Sequence, residues 1–353
     1  MAMFPEKLRK IYDAAGADAL FLECDFLRRY LTGFYSTDGY VLVTPEECIF
    51  FADLRYFEAA EKKLKGSHVK VVEGGYKNAL EAAKPYHTLG VPFPFVSVSA
   101  LKLYEAQEHA VIDCMTAFKA AMLVKSDEEI ACIRRACEIA EDGFNLLLPE
   151  IKEGMTESEV AALLEYNMRK LGASGVSFDT ICAFGENGSV PHYETGNRKL
   201  RFGDPILLDF GCKFEGYCSD ITRTFLFGDD GMHEEFKKIH EVVLTAHELV
   251  KEKVVAGMTG KAADAIARDY LREKGLAEYF THSLGHGIGL QIHEYPTLSL
   301  RGEEILENGM VFSDEPGVYL AGKLGVRIED SVYLKDGKVV SFMTKTSRKA
   351  LIL

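Results

Sequence analysis

Residues 310–330 read Met310-Val-Phe-Ser-Asp-Glu315-Pro-Gly-Val-Tyr-Leu-Ala-Gly-Lys-Leu-Gly-Val-Arg-Ile-Glu329-Asp330, and this stretch places two glutamates symmetrically about a turn. The midpoint of Glu315 and Glu329 is Gly322, so a hairpin centred on that glycine sets the two side chains opposite each other. Directly opposed strand residues have Cβ atoms about 5 Å apart, and like charges at that distance repel. An apolar hairpin that carries such a pair therefore predicts a cation between the carboxylates.

The same construction occurs about a hundred residues upstream. Asp209 lies in the apolar run Pro205-Ile-Leu-Leu-Asp-Phe-Gly211, and Asp220 lies in Tyr217-Cys-Ser-Asp-Ile-Thr-Arg-Thr-Phe225. Residues 212–216 read as a hairpin connection, and the midpoint of the two aspartates falls inside it. A simple hairpin therefore places Asp209 and Asp220 roughly opposite each other. Two such pairs indicate metal ligands.

Composition narrows the class of protein. The chain has 353 residues, of which 47% are hydrophobic and 27% charged, and its net charge is −13. The length predicts two domains, and the negative charge without a basic stripe argues against a nucleic-acid partner. No signal-peptide pattern and no run of about 18 apolar residues occur, so we expect a cytoplasmic protein without a membrane partner. The eight scattered cysteines fit reduced thiols, with a Cys212–Cys218 disulfide as the less favoured alternative.

The pattern of predicted helices and strands differs between the first and the second part of the chain. In the first, short apolar runs predict strands at residues 19–22, 39–44, 48–51, 69–72 and 93–98. Their alternation with helical patterns predicts a small α/β domain over residues 1–124. In the second, Ser126-Asp-Glu-Glu129 is a capping box that starts a long helix ending near residue 148. We expect an α+β protein with a second domain over residues 125–353.

The second domain contains an internal repeat with an offset of 103 residues. Gly154-Met-Thr156 recurs as Gly257-Met-Thr259, and further identities pair Gly172 with Gly275, Ala162 with Ala265 and Arg169 with Arg272. A common helix entry and a glycine C-cap give a similar pattern without shared origin, but three consecutive identities favour duplication. Long helices are predicted before the repeats, at 127–148 and about 233–253. Duplicated halves explain two carboxylate hairpins and place the active site between the halves.

Three histidines, His282, His286 and His293, lie within twelve residues, and glycines between them let the backbone approach a neighbour closely. His192, in Val190-Pro-His-Tyr193, is a fourth candidate. A lone histidine is more often a packed or surface residue than a ligand. Three of them beside four candidate carboxylates indicate a metal site.

A ligand set of four carboxylates and one imidazole suits Mn²⁺, Co²⁺, Zn²⁺ or Fe²⁺ better than a thiolate-type structural zinc site. Four carboxylates carry too much charge for one divalent ion and suit two. Paired metal ions share a hydroxide and stabilise a tetrahedral intermediate during hydrolysis. The remaining histidines are then free to donate hydrogen bonds to an oxyanion and to move protons. The residues alone predict a two-metal hydrolase.

These residues and their surroundings resemble the pita-bread metallopeptidases, and within them the Xaa-Pro peptidases, aminopeptidase P and prolidase. The shared motifs are Leu-Asp-Phe-Gly, Ser-Asp-Ile-Thr-Arg-Thr, Gly-His-Gly-Ile-Gly, Glu-Pro-Gly-Val-Tyr and Val-Arg-Ile-Glu-Asp. Tyr30-Leu-Thr-Gly-Phe34 and Asp53-Leu-Arg-Tyr56 resemble the creatinase-type N-terminal domain of that branch, and Lys125-Ser126 resembles its junction with the catalytic domain. The resemblance implies a duplicated pita-bread catalytic domain, and a homodimer in which the N-terminal domain restricts access to short peptides.

By position, the resemblance implies a centre of two divalent ions, Mn²⁺ first among the candidates. Its ligands would be Asp209, Asp220, His286, Glu315 and Glu329. Asp220 and Glu329 would bridge both ions, and Asp209 would chelate one of them. His286 and Glu315 would bind the other ion, with Glu315 also taking a proton from the attacking hydroxide.

The resemblance also implies residues that contact the substrate. His282 and His293 would bind the scissile carbonyl and the proline side, and His192 would lie over the metal ions. Arg327 would orient a carboxylate, with a surface salt bridge as its alternative role. Candidates for an apolar proline pocket are Phe178, His192 and Tyr193, although an aromatic residue in a strand is more often part of the core.

The favoured function is an Xaa-Pro aminopeptidase that releases the residue before proline from short peptides. An X-Pro bond has no N–H for a general peptidase to grip, and metal polarisation of the carbonyl does not require one. Residues 186–193 look more like aminopeptidase P than prolidase. Thr297 stands where many prolidases carry an arginine that grips the dipeptide carboxylate. The alternative is an Xaa-Pro dipeptidase, that is, a prolidase.

Two further classes compete with an Xaa-Pro peptidase. A metal-free creatinase-like hydrolase or a peptide-binding relative would have replaced the ligand carboxylates, and here all five ligand positions are filled. A methionine aminopeptidase would share the ligand set. The N-terminal domain and the Tyr30–Phe34 segment argue against it.

Overall fold

The protein is described by a computed structural model that covers residues 5–229 and 233–353. The chain divides into two compact units, one ending at Met122 and one spanning Leu123–Leu353. This division lies two residues before the boundary that the sequence predicts. Among the described residues, no helix is both long and apolar enough to cross a bilayer.

The first unit alternates strands and helices. Its strands are β1 (Ala19–Leu22), β2 (Tyr40–Val43), β3 (Cys48–Ala52), β4 (Val69–Glu73), β5 (Thr88–Val91) and β6 (Ala110–Asp113). Its helices are α1 (Glu6–Ala15), α2 (Asp25–Thr32), α3 (Phe57–Leu64), α4 (Tyr76–Ala83), α5 (Val98–Glu105) and α6 (Met115–Leu123). The strands form one sheet in the order β4-β3-β2-β1-β5-β6. It is a mixed sheet, because β1, β2 and β3 pair antiparallel while the remaining pairs are parallel.

The strands predicted in this unit are present, with one exception. The four that are confirmed are β1, β2, β3 and β4. The strand predicted at 93–98 is wrong, because Phe93–Phe95 forms a 3₁₀ turn and α5 follows directly. Pro92 and Pro94 lack the N–H groups that a strand ladder requires. Ser97 then starts the helix, since its hydroxyl accepts a backbone N–H of the first turn.

The second unit contains longer helices and a larger sheet. Its helices are α7 (Asp127–Leu147), α8 (Glu157–Lys170), α9 (Glu234–Lys253) and α10 (Gly260–Glu273). Its strands are β7 (Gly175–Val176), β8 (Ile181–Phe184), β9 (Pro205–Phe210), β10 (Cys212–Phe214), β11 (Tyr217–Cys218), β12 (Ile221–Leu226), β13 (Gly285–Gly287), β14 (Glu294–Leu298), β15 (Val311–Asp314), β16 (Gly317–Leu320), β17 (Leu324–Arg327), β18 (Glu329–Lys335) and β19 (Lys338–Ser341).

The main sheet of this unit has the order β14-β13-β15-β18-β12-β9-β8, with β19 also paired to β18. The hairpin β10–β11 leaves it and forms a small sheet with β7, and β16 pairs with β17 alone. Aromatic packing joins helix α7 to the sheet. Phe144 stacks on Phe210 with a centroid distance of 5.5 Å and meets Phe225 edge-on at 5.8 Å. The eight cysteines are free thiols, and Cys212 and Cys218 are both buried.

The internal repeat of the sequence is confirmed by the fold. Helices α8 and α10 begin and end 103 residues apart, and each follows a longer helix. The chain before each short helix makes the same main-chain contact. Gly154 N donates to Leu200 O at 2.9 Å, and Gly257 N donates to Leu306 O at 2.8 Å.

Candidate metal centre

The register of the main sheet aligns carboxylates from separate strands. Thr222 of β12 pairs with Asp209 of β9 on one side and with Glu329 of β18 on the other. Residues directly opposite each other point to the same face of a sheet. Asp209, Thr222 and Glu329 therefore form one row across three strands.

The second carboxylate hairpin is centred where the sequence predicts. Strands β16 and β17 pair Gly317 with Arg327, which is symmetric about Gly322. The same symmetry sets Glu315 opposite Glu329. Both glutamates accordingly face the side of the sheet on which Asp209 lies.

The first hairpin differs from its predicted register by two residues. Asp209 pairs with Thr222 rather than with Asp220. Glu215 and Gly216 form the turn, with φ values of 47° and 83°, and thereby shift its centre toward the C-terminus. Asp220 still joins the row, because residues two apart in an extended segment point to the same face.

Histidine and carboxylate atoms meet at His286, the central residue of β13. Ligand atoms of Asp220, His286 and Glu329 all lie within 4.8 Å of one another. His286 Nε2 lies 3.6 Å from Asp220 Oδ2 and 3.5 Å from Glu315 Oε1. Burial, and next the charge of His293, lowers the pKa of His286 to about 4. The ring is neutral near pH 7, so it can offer a lone pair to a metal ion.

The glycines of this segment permit a close backbone approach. A Cβ on Gly285 would lie 2.0 Å from Ser313 O, and a Cβ on Gly287 would lie 2.1 Å from Tyr295 O. Neither distance is compatible with a side chain. The glycines let β13 fit between β14 and β15, and this position brings His286 to the carboxylates.

The carboxylates are too crowded to be ionised together without a cation. Burial, and next the charges of Glu329 and Asp209, raises the pKa of Asp220 well above its usual range. Burial, and next the charges of Glu315 and Asp209, does the same to the pKa of Glu329. Burial is also the main cause that raises the pKa of Glu315 to about 8. Asp209 Oδ1 is buried with no hydrogen-bond partner.

This donor set fits divalent metal ions. Carboxylate oxygens and a neutral imidazole nitrogen are ligands that Mn²⁺, Co²⁺, Zn²⁺ and Fe²⁺ accept. A bound cation would compensate the repulsion among the carboxylates and would satisfy the unpartnered oxygen of Asp209. The residues that could hold it are the five that the sequence predicts.

His282 lies beside Glu315 and is held by a chain of hydrogen bonds. Its Nδ1 lies 3.8 Å from Glu315 Oε2 and donates to Ser283 O at 2.8 Å. Its Nε2 accepts from the Tyr319 hydroxyl at 2.9 Å. Burial, and next the charge of Arg327, lowers the pKa of His282 to about 3. His282 is therefore a neutral imidazole next to the carboxylates.

His293 and His192 complete the group of histidines. The rings of His293 and His286 meet edge-to-face, with a centroid distance of 4.3 Å. Burial, and next the charge of His192, lowers the pKa of His293. His192 itself is exposed. The structure thus brings all four histidines of the sequence prediction to the carboxylate cluster or its margin.

Arg327 is buried and binds a carboxylate of the protein itself. Its Nη2 donates to Asp209 Oδ2 at 2.6 Å, and its Nε donates to Thr222 Oγ1 at 3.0 Å. A further bond of 2.6 Å reaches the Tyr319 hydroxyl, and Pro191 O accepts at 3.3 Å. The guanidinium therefore fixes one oxygen of Asp209 and leaves the other free.

The aromatic candidates for a substrate pocket have different surroundings. The Tyr193 hydroxyl donates to the buried carboxylate of Glu157 at 2.9 Å and accepts from Asn187 Nδ2 at 2.8 Å. Its side chain packs against the buried cluster of Ala183, Leu207 and Tyr319, and Tyr319 in turn binds His282. Phe178 is half-buried between β7 and β8, and within the described chain no hydrogen bond, ion pair or ring contact joins it to the cluster.

Three hydroxyl groups at the site are absent from the sequence prediction. Tyr319 bridges Arg327 and His282, Thr222 donates to Glu329 Oε2 at 2.6 Å, and Ser313 donates to Glu315 Oε1 at 3.1 Å. Each lies inside or beside a motif that contains a ligand. Their two-residue spacing from a ligand on the same strand is the signal that could have identified Thr222 and Ser313.

Helix α10 supports the histidine segment through an ion pair. Arg268 donates to Phe280 O at 3.0 Å and to His282 O at 2.9 Å, while its partner Asp264 accepts from Leu284 N at 3.0 Å. Asp264 and Arg268 are four residues apart, the spacing of an intrahelical ion pair. Their sequence alone does not indicate a contact with a distant strand.

Comparisons with known proteins cover nearly the whole chain. The family model described as metallopeptidase family M24 matches residues 131–336, and the model described as creatinase/prolidase N-terminal domain matches residues 6–124. The Xaa-Pro dipeptidase of Pyrococcus furiosus is 36% identical over 351 residues, which are 98% of this chain and 99% of that protein.

Solved structures give the same picture. The structure of an Xaa-Pro dipeptidase from Bacillus anthracis superposes with a TM-score of 0.92 at 38% identity, covering 99% of this chain and 98% of that one. The structure of an X-Pro aminopeptidase from Thermotoga maritima superposes with a TM-score of 0.89 at 36% identity, covering 97% and 99%. The chain belongs to metallopeptidase family M24 and carries the creatinase/prolidase type of N-terminal domain.

Proposed function

We propose that this M24 metallopeptidase is an Xaa-Pro dipeptidase that works with two divalent metal ions. The observation that carries the proposal is the full-length similarity, at 36–38% identity, to proteins named Xaa-Pro dipeptidase. The sequence alone favours an Xaa-Pro aminopeptidase and holds the dipeptidase as its alternative. The relatives support that alternative better than the first choice.

The metal ligands in this proposal are the five residues that the sequence predicts, namely Asp209, Asp220, His286, Glu315 and Glu329. Ligand atoms of Asp220, His286 and Glu329 lie within 4.8 Å of one another, which supports their assignment to one centre. When bound, the ions polarise the scissile carbonyl and lower the pKa of water. Mn²⁺ is the first candidate, with Co²⁺, Zn²⁺ and Fe²⁺ as alternatives, because all four accept this donor set.

Glu315 is the proposed general base. Ser313 binds its Oε1, so Oε2 is the oxygen left to receive a proton from the attacking water. The proton that Glu315 takes from the attacking water can then pass to the leaving amine, because one group can act first as general base and then as general acid. His282, 3.8 Å from Oε2, and His293 are proposed to contact the scissile carbonyl and the proline side.

The substrate is a short peptide whose second residue is proline. Its tertiary amide offers no N–H, and the proposed recognition uses the ring instead. His192, Tyr193 and Phe178 are proposed to line the proline side, with Tyr193 held in place by Glu157. Arg327 is already bonded to Asp209, so its proposed effect on the substrate is indirect. We further propose a cytoplasmic homodimer.

One observation favours an Xaa-Pro aminopeptidase as the second candidate. Thr297 lies directly opposite His286 on the neighbouring strand, beside the cluster. A threonine supplies no positive charge for the carboxylate of a dipeptide. A longer peptide needs no such charge at this position, and the Thermotoga maritima structure named an X-Pro aminopeptidase is 36% identical to this chain.

Hydrolysis of Ala-Pro beside Ala-Pro-Ala and Ala-Ala-Ala separates the two candidates. Products are identified by mass spectrometry after incubation with Mn²⁺, Co²⁺, Zn²⁺ or EDTA. We expect metal-dependent cleavage of Ala-Pro and weak turnover of both tripeptides. Cleavage of Ala-Pro-Ala with little turnover of Ala-Pro would make the protein an aminopeptidase. Cleavage of Ala-Ala-Ala alone, or activity that survives EDTA, would contradict the proposal.

A further inference from the structure

A second ionic cluster lies on the opposite face of the same strands. Asp314 of β15 pairs directly with Asp330 of β18, and both side chains are fully buried. Asp314 precedes Glu315, and Asp330 follows Glu329. Because neighbouring strand residues point to opposite faces, the two aspartates lie behind the two glutamates of the metal centre.

Two arginines and a histidine neutralise this rear cluster. Arg223 Nη2 donates to Asp330 Oδ1 at 2.9 Å, and its Nη1 donates to Glu329 O at 2.6 Å. Arg348 Nε donates to Asp330 Oδ2 at 2.7 Å. His247 of α9 contacts Asp314 Oδ2 with Nδ1 at 3.0 Å and lies 3.5 Å from Asp330 Oδ2 with Nε2. Asp330 is thus held by cations from three separate parts of the chain.

Arg348 comes from the C-terminal segment, residues 341–348, which is itself attached firmly to the unit. The buried carboxylate of Glu141 accepts the backbone N–H groups of Thr344, Lys345 and Thr346, at 2.8–3.0 Å. Arg348 Nη2 also donates to Met343 O at 2.8 Å. The guanidinium therefore reaches Asp330 from a segment with its own anchor and does not depend on Asp330 for its position.

We propose that Arg348 is a positioning residue for the metal centre, which it affects through Asp330 and the backbone of Glu329. The proposal rests on the assignment of Glu329 as a metal ligand. Arg348 and Arg223 fix the two oxygens of Asp330 behind the sheet, and Arg223 also binds Glu329 O. The start of β18 cannot rotate without breaking these bonds, so Glu329 keeps its carboxylate toward His286.

Loss of Arg348 leaves Asp330 less well neutralised. Its Oδ2 keeps the Ser341 hydroxyl at 2.7 Å and His247 at 3.5 Å, with the like charge of Asp314 on the paired strand. The side chain of Asp330 is then less restrained and can rotate, and this rotation displaces the adjacent Glu329. Partners behind a metal ligand commonly change metal affinity 10- to 100-fold when they are removed. Because Arg348 acts through one intervening residue, we expect the lower end, about tenfold.

The test compares Arg348→Met with Arg348→Lys and with Lys345→Met in the full chain. Lys345 lies in the same segment but pairs with Asp142 at the surface, away from Asp330. The readouts are the Kd for Co²⁺, measured by titration calorimetry, and the visible absorption spectrum of the bound Co²⁺. We expect about tenfold weaker binding and an altered spectrum for Arg348→Met, since the ligand geometry loosens. Arg348→Lys should lie in between, and Lys345→Met should match the wild type.

The outcomes distinguish a role of Arg348 in positioning the metal centre from a role limited to attaching the C-terminal segment. A lower Tm with unchanged Co²⁺ affinity and spectrum in Arg348→Met would overturn the proposal, because Arg348 would then only hold the segment. If Arg348→Met does not fold, unchanged Co²⁺ binding in Arg348→Lys would overturn it equally. A wild-type chain that binds no Co²⁺ would instead remove the proposed function and, with it, this inference.

Discussion

At the scale of single residues, three of the carboxylates follow one rule. A protein donor binds one oxygen of each and so restricts rotation of the carboxylate. Arg327 binds Asp209 Oδ2, Thr222 binds Glu329 Oε2, and Ser313 binds Glu315 Oε1. Because the hydrogen bond orients the whole carboxylate, its second oxygen is in place for a metal ion or a proton before either arrives. Catalytic and binding groups held in this manner lose less entropy when the ligand arrives.

Replacement of Glu315 by glutamine should abolish hydrolysis and preserve the fold. Glutamine keeps the hydrogen bond from Ser313 and the size of the side chain but cannot take a proton. Loss of a general base lowers kcat by about 10²–10⁴. The measurement is kcat for Ala-Pro, with Tm and metal content as controls for folding and loading. Retained turnover in a loaded, folded variant would contradict the role of Glu315.

Replacement of Arg327 by methionine should destabilise the metal-free protein by about 3–5 kcal/mol, because it leaves the Asp209 carboxylate with an unpaired charge. Bound metal should reduce that loss, since the ions then compensate Asp209. Urea unfolding with and without EDTA measures the effect. Arg198→Met is the matched control, because Arg198 pairs with Asp204 outside the centre. An equal metal dependence in both variants would argue against the assignment.

At the scale of elements, the hydrophobic pattern and the symmetry of the hairpins predicted most of the fold. The register of the first hairpin was wrong, because it depends on the geometry of its turn. The strand β1 and the duplicated helices follow from apolar spacing and capping residues. The register of the second hairpin follows from symmetry about Gly322. The first hairpin is off by two residues because Glu215, a non-glycine residue, adopts positive φ in its turn. No sequence rule foresees that choice reliably.

The five predicted ligands lie in recognisable motifs, whereas the residues that hold them in position do not. The rear cluster joins Arg223, His247, Asp330 and Arg348 from separate elements. Each of these residues reads in the sequence as an ordinary charged side chain. Only the folded chain shows that they meet, because tertiary contacts between distant segments leave no local pattern.

The caps of the duplicated helices offer a prediction at this scale. The hydroxyls of Thr156 and Thr259 accept N–H groups in the first turns of α8 and α10. Each threonine-to-alanine replacement should cost about 1 kcal/mol of unfolding free energy. The double variant should lose the sum, since distant sites act independently. Thr245→Ala is the control, at a half-buried position within α9 whose hydroxyl donates to Glu241 O at 2.8 Å, and it should change little. Urea unfolding that shows equal losses at Thr245 would contradict the capping role of Thr156 and Thr259.

At the scale of the whole molecule, part of the net charge of −13 lies in a buried site, where ionised carboxylates repel each other. Asp220, Glu315 and Glu329 share one buried site. Burial, together with the charges of neighbouring carboxylates, raises their pKa values. Bound metal ions would relieve this repulsion by taking the place of protons. Stability, metal affinity and pH are therefore linked in this protein.

The metal-free protein should lose stability as the pH rises from 7 to 9, relative to the metal-loaded protein. The pKa of Glu315 is raised from 4.5 to about 8 in the folded state, so the folded chain holds a proton that the unfolded chain has released. That stabilisation is fully present below pH 4.5 and is lost as the pH passes through 8. The lowered pKa values of His282 and His286 act in the opposite sense, but below pH 7.

Thermal unfolding in EDTA and in excess Mn²⁺ across this range measures the effect. The difference between the two Tm values should widen as the pH rises, since bound ligand stabilises only the folded chain. Glu315→Gln should flatten the slope of the metal-free protein. A Tm difference that stays constant or narrows toward pH 9 would show that the buried carboxylates do not govern metal-free stability.

In the proposed metal centre, four carboxylates and His286 hold two divalent ions. Native mass spectrometry of the chain after dialysis against Mn²⁺ counts them directly, beside the double variant Asp220→Asn, Glu329→Gln. We expect two ions per wild-type chain and fewer than one in the double variant. Fewer than one ion in the wild type, or the same count in both proteins, would contradict it.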